Sequence, residues 1–205
     1  TVLLDQEGKE IEESEVEGYL AIKFPWPSIV RNLYGNKERY KNSYFSMYKG
    51  YYFTGDGAKR DSKGMYKIIG RIDDVINVSG HRFGTAEIEN SINQNEKVVE
   101  SAVVGFPHAI KGQAIYAYIV LKNTAEDPED VREEIVETVV REIGKIAKPD
   151  KIQFVSNLPK TRSGKIMRRI LRKIAAKDFE NLGDTSTLLN PEIVDIIIAE
   201  TKREM

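Results

Sequence analysis

Two nearly continuous apolar runs, SAVVGFP (101–107) and AIYAYIVLK (114–122), constrain this chain most. Both are rich in Val, Ile and Tyr and suit central strands of a sheet. The segment after them, DPEDVREEIVETVVREIG (127–144), predicts a helix. Pro128 fits its first position, acids fill its first turn, Val131, Ile135, Val139 and Ile143 form a stripe, and Gly144 ends it. KIQFVS (151–156) reads as a further strand, and NPEIVDIIIAE (190–200) as a packed helix in the tail.

Upstream the rhythm differs. Residues 1–72 read as β-rich, with Leu20, Ile22 and Phe24 of GYLAIKF on one side of a half-buried strand. NKERYKNSYFSMY (36–48) is helix-compatible, and two strand-like runs flank a hairpin-type connection at Ser62-Lys63-Gly64. VINVSGHRF (75–83) is strand, turn and strand, after which Thr85 is placed to cap a helix through about Gln94. The expectation is a β-rich piece, a junction near Asp73-Asp74, and an α+β domain.

With 205 residues, 40% of them apolar, the chain is long enough for one large or two small domains. Its 31 Lys and Arg nearly cancel 32 Asp and Glu, for a net charge of −1, so any basic function must be local. It has no cysteine, which excludes disulfides, thiolate metal sites and cysteine nucleophiles. With only His81 and His108, a histidine-rich zinc site is not expected, and both are read as surface or turn positions. No apolar run approaches the roughly 20 residues of a membrane span, and the start has no signal-peptide pattern. A cytoplasmic protein is expected. The chain enters strand-like sequence directly from Thr1, and a piece of a longer chain is expected.

The chemistry concentrates in short glycine-bearing segments. PKTRSGKIMRRILRKI (159–174) carries Lys165 on a Ser-Gly turn ahead of a basic helix. It is not a phosphate-binding P-loop, because Pro159 stands where the first glycine belongs and Ile166 where a magnesium-binding hydroxyl is needed. Lys160, Arg162, Lys165, Arg168, Arg169, Arg172, Lys173 and Lys177 suit either a solvated face over an apolar stripe of Ile166, Met167, Ile170, Leu171 and Ile174 or an anion-binding surface. No base-stacking aromatic interrupts them, which disfavours nucleic acid. TGD (54–56) puts a carboxylate after a glycine at an expected strand end, and Asp56 has acceptors for both hydroxyls of a ribose. Gly70-Arg71 offers a planar donor, and SGHR (79–82) a second glycine turn with a guanidinium. Singly these arise by chance; in this order and spacing they form a signature.

In YYFTGDGAKRD (51–61), GRIDDVINVSGHRFGTAEIE (70–89) and PKTRSGKIMRRILRKIA (159–175), the chain resembles the C-terminal part of the AMP-forming acyl-CoA synthetases of the adenylate-forming superfamily. VVGFPHAIKGQAIYAY (103–118) and NLGDTSTL (181–188) make it similar to the acetate-activating members in particular. The resemblance implies a two-step ligase that joins acetate to coenzyme A through acetyl-AMP, using ATP. Propionate or another acyl substrate is the alternative, and a basic anion-binding module is the alternative of another class. It implies ribose binding by Asp56 and Arg71, phosphate contact by Arg82, a coenzyme A channel bordered by Ser79 and Gly80, and the adenylation lysine at Lys165. Asp73 matches the hinge of a rotating C-terminal domain. Residues 1–72 would then end the large N-terminal domain, the rest of which lies upstream. Residues 73–74 would be the hinge, 75–177 the small α+β lid domain, and 178–205 a tail with a terminal helix. The motif lysine is one that an acetyltransferase and a deacetylase act on, so the same is expected of Lys165. Arg141 falls near a coenzyme A-contacting arginine, with its register shifted by one. A structural magnesium would sit at Asn93, Asn95 and Val98, where Asn95 replaces the usual histidine and backbone carbonyls suit a hard cation. Neither nucleic acid nor membrane is expected as a partner.

Overall fold

The computed structural model describes residues 1–122 and 127–203. The chain divides into two units, Thr1–Asp73 and Asp74–Met205.

The first unit is a four-stranded antiparallel sheet in sequence order, of β1 (Val2–Leu4), β2 (Val16–Ile22), β3 (Tyr52–Arg60) and β4 (Tyr66–Arg71), with α1 (Lys37–Tyr44) between β2 and β3. Both faces of β2 are used. Leu20 packs with Leu3 and Ala58, while Ala21 and Tyr19 join Leu4, Tyr48 and Phe53 on the other side. The one-sided alternation expected of Leu20, Ile22 and Phe24 therefore fails: β2 ends at Ile22, and Phe24 lies beyond it, 74% exposed. Asp56 also departs from expectation. It lies within β3 rather than at its end, opposite Arg71 and beside a register shift at Gly57 and Ala58.

The second unit begins with a hairpin of β5 (Val75–Val78) and β6 (His81–Gly84), which leads into α2 (Thr85–Ile92). Next come β7 (Val98–His108), β8 (Gly112–Leu121), α3 (Pro128–Glu142), β9 (Lys151–Phe154), α4 (Arg168–Ala175) and α5 (Glu192–Arg203). The sheet runs β6-β5-β8-β7, with β9 added parallel to β8 from Tyr116 against Lys151 to Ile119 against Phe154. The two apolar runs are β7 and β8, and their composition follows from burial on both faces. Val103, Ile115, Ala117 and Ile119 meet α2 and α3 through Ile88, Val131, Ile135 and Val139. Ala102, Val104, Tyr116 and Tyr118 meet α4 and α5 through Ile170, Leu171, Ile193 and Ile197. The two buried phenol hydroxyls are both satisfied, Tyr116 donating to Gln153 at 2.9 Å and Tyr118 to the Leu171 carbonyl at 3.2 Å.

Two helix starts differ from the sequence reading. Gly84, still paired with Val75, is the N-cap of α2, so Thr85 is the first helical residue and makes no capping bond. The helix grows straight out of the ladder, which leaves no free residue to cap it. Helix α4 starts at Arg168, because Ile166 is held in a bridge with Lys160. Among the described residues no helix is long and apolar enough to cross a membrane.

Candidate functional site

In the first unit the chemistry sits on β3 and β4. Thr54 Oγ1 donates to the Leu20 carbonyl at 2.9 Å and accepts from the Asp56 N–H at 3.1 Å, which fixes the backbone around Gly55. Arg71 donates to the Thr54 carbonyl at 3.1 Å and stands 3.5 Å from the Asp56 carboxylate. Gly55 has φ +79°, and a Cβ there would meet the Arg71 guanidinium at 2.7 Å. The glycine of TGD thus makes room for the arginine sixteen residues on. A half-exposed pair at this distance contributes little stability, and Asp56 retains acceptor sites for other donors.

In the second unit Ser79 (φ +51°) and Gly80 (φ +86°) form a two-residue turn between β5 and β6, the hand that matches strand twist. The Ser79 N–H donates to the Lys111 carbonyl at 2.9 Å, tying this turn to the one between β7 and β8. His108 is the last residue of β7 before that second turn, and its Nδ1 accepts from the Ile110 N–H at 3.2 Å. Arg82, opposite Asn77, is exposed and makes no hydrogen bond or ion pair among the described residues.

Beside Ser79 lies a cleft of about 410 Å³, lined by Val78, Ser79, Lys111, Lys145, Lys148 and Asp150 among others. Asp150 pairs with Lys111, which leaves the ammonium groups of Lys145 and Lys148 without a partner among the described residues. The sequence reading missed these lysines. They lie in GKIAKP (144–149) and Lys111 in IKG (110–112), and only the fold brings the two segments to one opening. Arg141 is not among the residues lining this cleft. It is exposed in the last turn of α3, 3.3 Å from Glu142.

Lys165 follows a tight turn. The Gly164 N–H donates to the Thr161 carbonyl at 2.8 Å, and the Thr161 N–H to the Lys165 carbonyl at 2.9 Å. The Thr161 hydroxyl accepts the Lys165 N–H at 3.2 Å. The Lys165 side chain is exposed and has no partner among the described residues. The surrounding basic run is a different matter. Lys160 pairs with Glu100 at 2.5 Å, Arg168 with Glu89 at 2.6 Å, Arg172 with Asp74 at 2.8 Å and Lys173 with Asp178 at 2.6 Å, while Arg169 binds carbonyls of the tail. Of this run, Arg162, Lys165 and Lys177 are left without a partner among the described residues. That is no continuous cationic face.

Asp73 lies in a short 3-10 turn, Ile72–Asp74, where the first unit ends. The side chains at the expected magnesium position do not fit the ion. Asn93 Oδ1 accepts from Ser101 at 2.8 Å, and Asn95 Oδ1 from the Lys97 N–H at 2.9 Å. Asn95 Nδ2 and the Lys97 ammonium both donate to Glu134, at 2.9 and 2.8 Å. Among the described residues no group of three or more His, Cys, Asp or Glu could hold a metal, and no step is derived through one.

Hydrogen bonds from Lys97, then Asn95, hold the Glu134 carboxyl below its usual value of 4.5. A carboxylate with a lowered pKa in the folded state contributes stability above its unfolded value, lost as pH falls through the folded one. Glu134→Gln is therefore expected to lower the urea midpoint at pH 7 and to flatten its fall on acidification below about pH 4.5. Parallel midpoint curves for the two proteins down to pH 3, on the order of one unit past the ordinary carboxylate range, would remove Glu134 from the acid response.

Residues 87–165 match the AMP-binding enzyme C-terminal domain. The chain is 57% identical over 202 residues to an acetyl-coenzyme A synthetase of Mesorhizobium japonicum, an alignment covering 98% of this chain and 31% of that protein. The crystal structure of the anthranilate CoA ligase AuaEII in complex with anthranoyl-AMP is similar with a TM-score of 0.75 and 29% identity, over 86% of this chain and 33% of that one. An acetoacetyl-CoA synthetase from Streptomyces lividans shares the fold with a TM-score of 0.85 at 21% identity, over 100% of this chain and 31% of that one. The chain thus spans about a third of the length of the relatives it matches.

Proposed function

We propose, from the match of residues 87–165 to the AMP-binding enzyme C-terminal domain and the likeness to an acetyl-coenzyme A synthetase, that this chain is the C-terminal portion of an AMP-forming acetate–CoA ligase. In the first step an acetate oxygen attacks the α-phosphorus of ATP, the bond to the β-phosphate oxygen breaks, and pyrophosphate leaves. In the second the thiol of coenzyme A loses its proton and attacks the acetyl carbon, and AMP leaves. The chain alone lacks the rest of the large domain and is inactive in this reading.

The observation that carries the proposal is the exposed ammonium of Lys165, without a partner among the described residues and held on a tight hairpin, while Lys160, Arg168, Arg169, Arg172 and Lys173 beside it are engaged elsewhere. Two anions must meet in the first step, and charge builds on the α-phosphate as they do. A positioned cation stabilises that charge more than it stabilises the separated reactants. Asp56 and Arg71 bind the ribose, Arg82 contacts the nucleotide phosphate, and Ser79 with Gly80 borders the path of coenzyme A. Lys145 and Lys148, beside Ser79 and without a partner among the described residues, suit the phosphates of coenzyme A better than Arg141, which does not line that cleft and pairs with Glu142 of its own helix. Asp73, at the boundary between units, is the hinge that lets the lysine withdraw before thiol attack. An acetyltransferase acting on the accessible Lys165 would remove its charge, and a deacetylase would restore it. The engaged basic helix is what disfavours a general anion-binding module.

The test is product analysis on the full-length protein. Acetate, ATP and coenzyme A are expected to give acetyl-CoA, AMP and pyrophosphate, with propionate and longer acids slower. Formation of ADP and phosphate, or salt-sensitive DNA binding without turnover, would overturn the reading.

A further inference from the structure

The hairpin that carries Lys165 is too small to hold itself. It has one bridge, Lys160 with Ile166, around a single turn, and an isolated two-stranded hairpin is marginal in water. The added order comes from the tail. Thr161 is bridged to Leu188, and the Leu189 N–H donates to the Lys160 carbonyl at 2.8 Å. The Asn190 side chain replaces the next rung. Its Oδ1 accepts from the Lys160 N–H at 3.2 Å, and its Nδ2 donates to the Leu158 carbonyl at 3.1 Å. Leu188 is buried with Ile170 and Leu171 of α4, so this extra strand is anchored in the core.

A second clasp lies one turn away. Arg169 donates to the carbonyls of Leu182 and Asp184, the latter at 3.0 Å. Between them Gly183, at φ +73°, passes so close that a Cβ would come within 2.2 Å of the Arg169 guanidinium. The guanidinium is exposed and its named partners are both backbone atoms, so Arg169 works on the path of the tail.

We propose that residues 181–190 are a strap that sets the position of the Lys165 hairpin, with Asn190 and Arg169 as positioning residues for the adenylation step. The inference rests on the role of Lys165 given above. Neither residue acts on a reacting atom. Each holds backbone that holds the lysine, and displacing a charged group by about 1 Å can cost on the order of 10²-fold in rate. The thioester step, which does not use the lysine, should not feel the strap.

The experiment compares Asn190→Ala, Arg169→Ala and Lys165→Ala in the full-length protein. Acetate-dependent ATP–pyrophosphate exchange reports adenylation, and coenzyme A thioester formation from supplied acetyl-AMP reports the second step. Asn190→Ala and Arg169→Ala are each expected to slow exchange by roughly 10-fold and to leave the second step within about 2-fold, a partial version of misplacing the lysine. Arg169→Lys, with one donor in place of the fork, should recover part of the loss. If Asn190→Ala does not fold, the exposed Arg169 pair of variants decides the matter alone. Exchange unchanged in the strap variants while Lys165→Ala abolishes it overturns the strap and leaves the lysine's role intact. Parallel loss of both steps, with a lower melting temperature, reduces the strap to ordinary packing. Exchange surviving in Lys165→Ala overturns the lysine's role and the strap with it.

Discussion

Replacing Lys165 by alanine in the full-length protein is expected to lower acetate-dependent ATP–pyrophosphate exchange by on the order of 10²–10³, the usual cost of losing one preorganised donor to developing charge. Thioester formation from supplied acetyl-AMP should stay near the unmodified rate, because no phosphorus is attacked in that step. The separation follows from where the residue sits. Its side chain is exposed and has no partner among the described residues, so its removal leaves no buried group unsatisfied and opens no cavity. Lys165→Gln, a slightly shorter polar side chain that lacks the charge as acetyl-lysine does, should match alanine. Lys165→Arg should fall between, because a planar fork does not reproduce a compact ammonium. If both half-reactions survive the alanine change, the hairpin is a packing feature and the proposed mechanism fails at its centre.

The sequence exposed what is local. The runs that became β7 and β8 and the capped, striped α3 were readable from short windows, since burial and capping leave their mark within a few residues of each other. The Ser-Gly turn before Lys165 and the turn at Ser79-Gly80 were readable for the same reason. What stayed hidden depends on distant partners. A count of positive residues made the helix after Lys165 look like an exposed basic face. Arg168 and Arg172 are engaged by acids 79 residues away at Glu89 and 98 away at Asp74, and no pattern within the helix announces them. The lysine-lined cleft was invisible for a related reason, because Lys111 and Lys145 meet only after β8 and α3 have formed between them. Phe24 was misread because alternation carries no information on where a strand stops.

The pair of Glu89 and Arg168 is where the largest loss of stability is expected. Glu89 is only 7% exposed. Its carboxylate accepts from Arg168 Nε at 3.0 Å, from Arg168 Nη2 at 2.6 Å and from the Val103 N–H at 2.8 Å, joining α2, α4 and β7 at one point. Burial by itself would lower the pKa of the guanidinium, but the hydrogen bonds and charge of Glu89 outweigh it and hold Arg168 above its ordinary value. Such a pair contributes modestly when whole and costs heavily when halved. Glu89→Ala leaves a half-buried cation and a strand N–H without their acceptor, and is expected to destabilise the second unit by about 3 kcal/mol. Glu89→Gln keeps an acceptor for Val103 and should lose about half of that, on the scale of one charge-assisted hydrogen bond. Exchange of β7 amide protons is the sensitive readout, because those amides lie between the helices that the pair connects. Equal protection in Glu89→Ala and the unmodified protein would mean that apolar packing of α2 and α4 alone holds the sheet. A loss that is restored when both partners become apolar, Glu89→Leu together with Arg168→Met, would instead mark the pair as a desolvation burden that well-packed apolar side chains relieve.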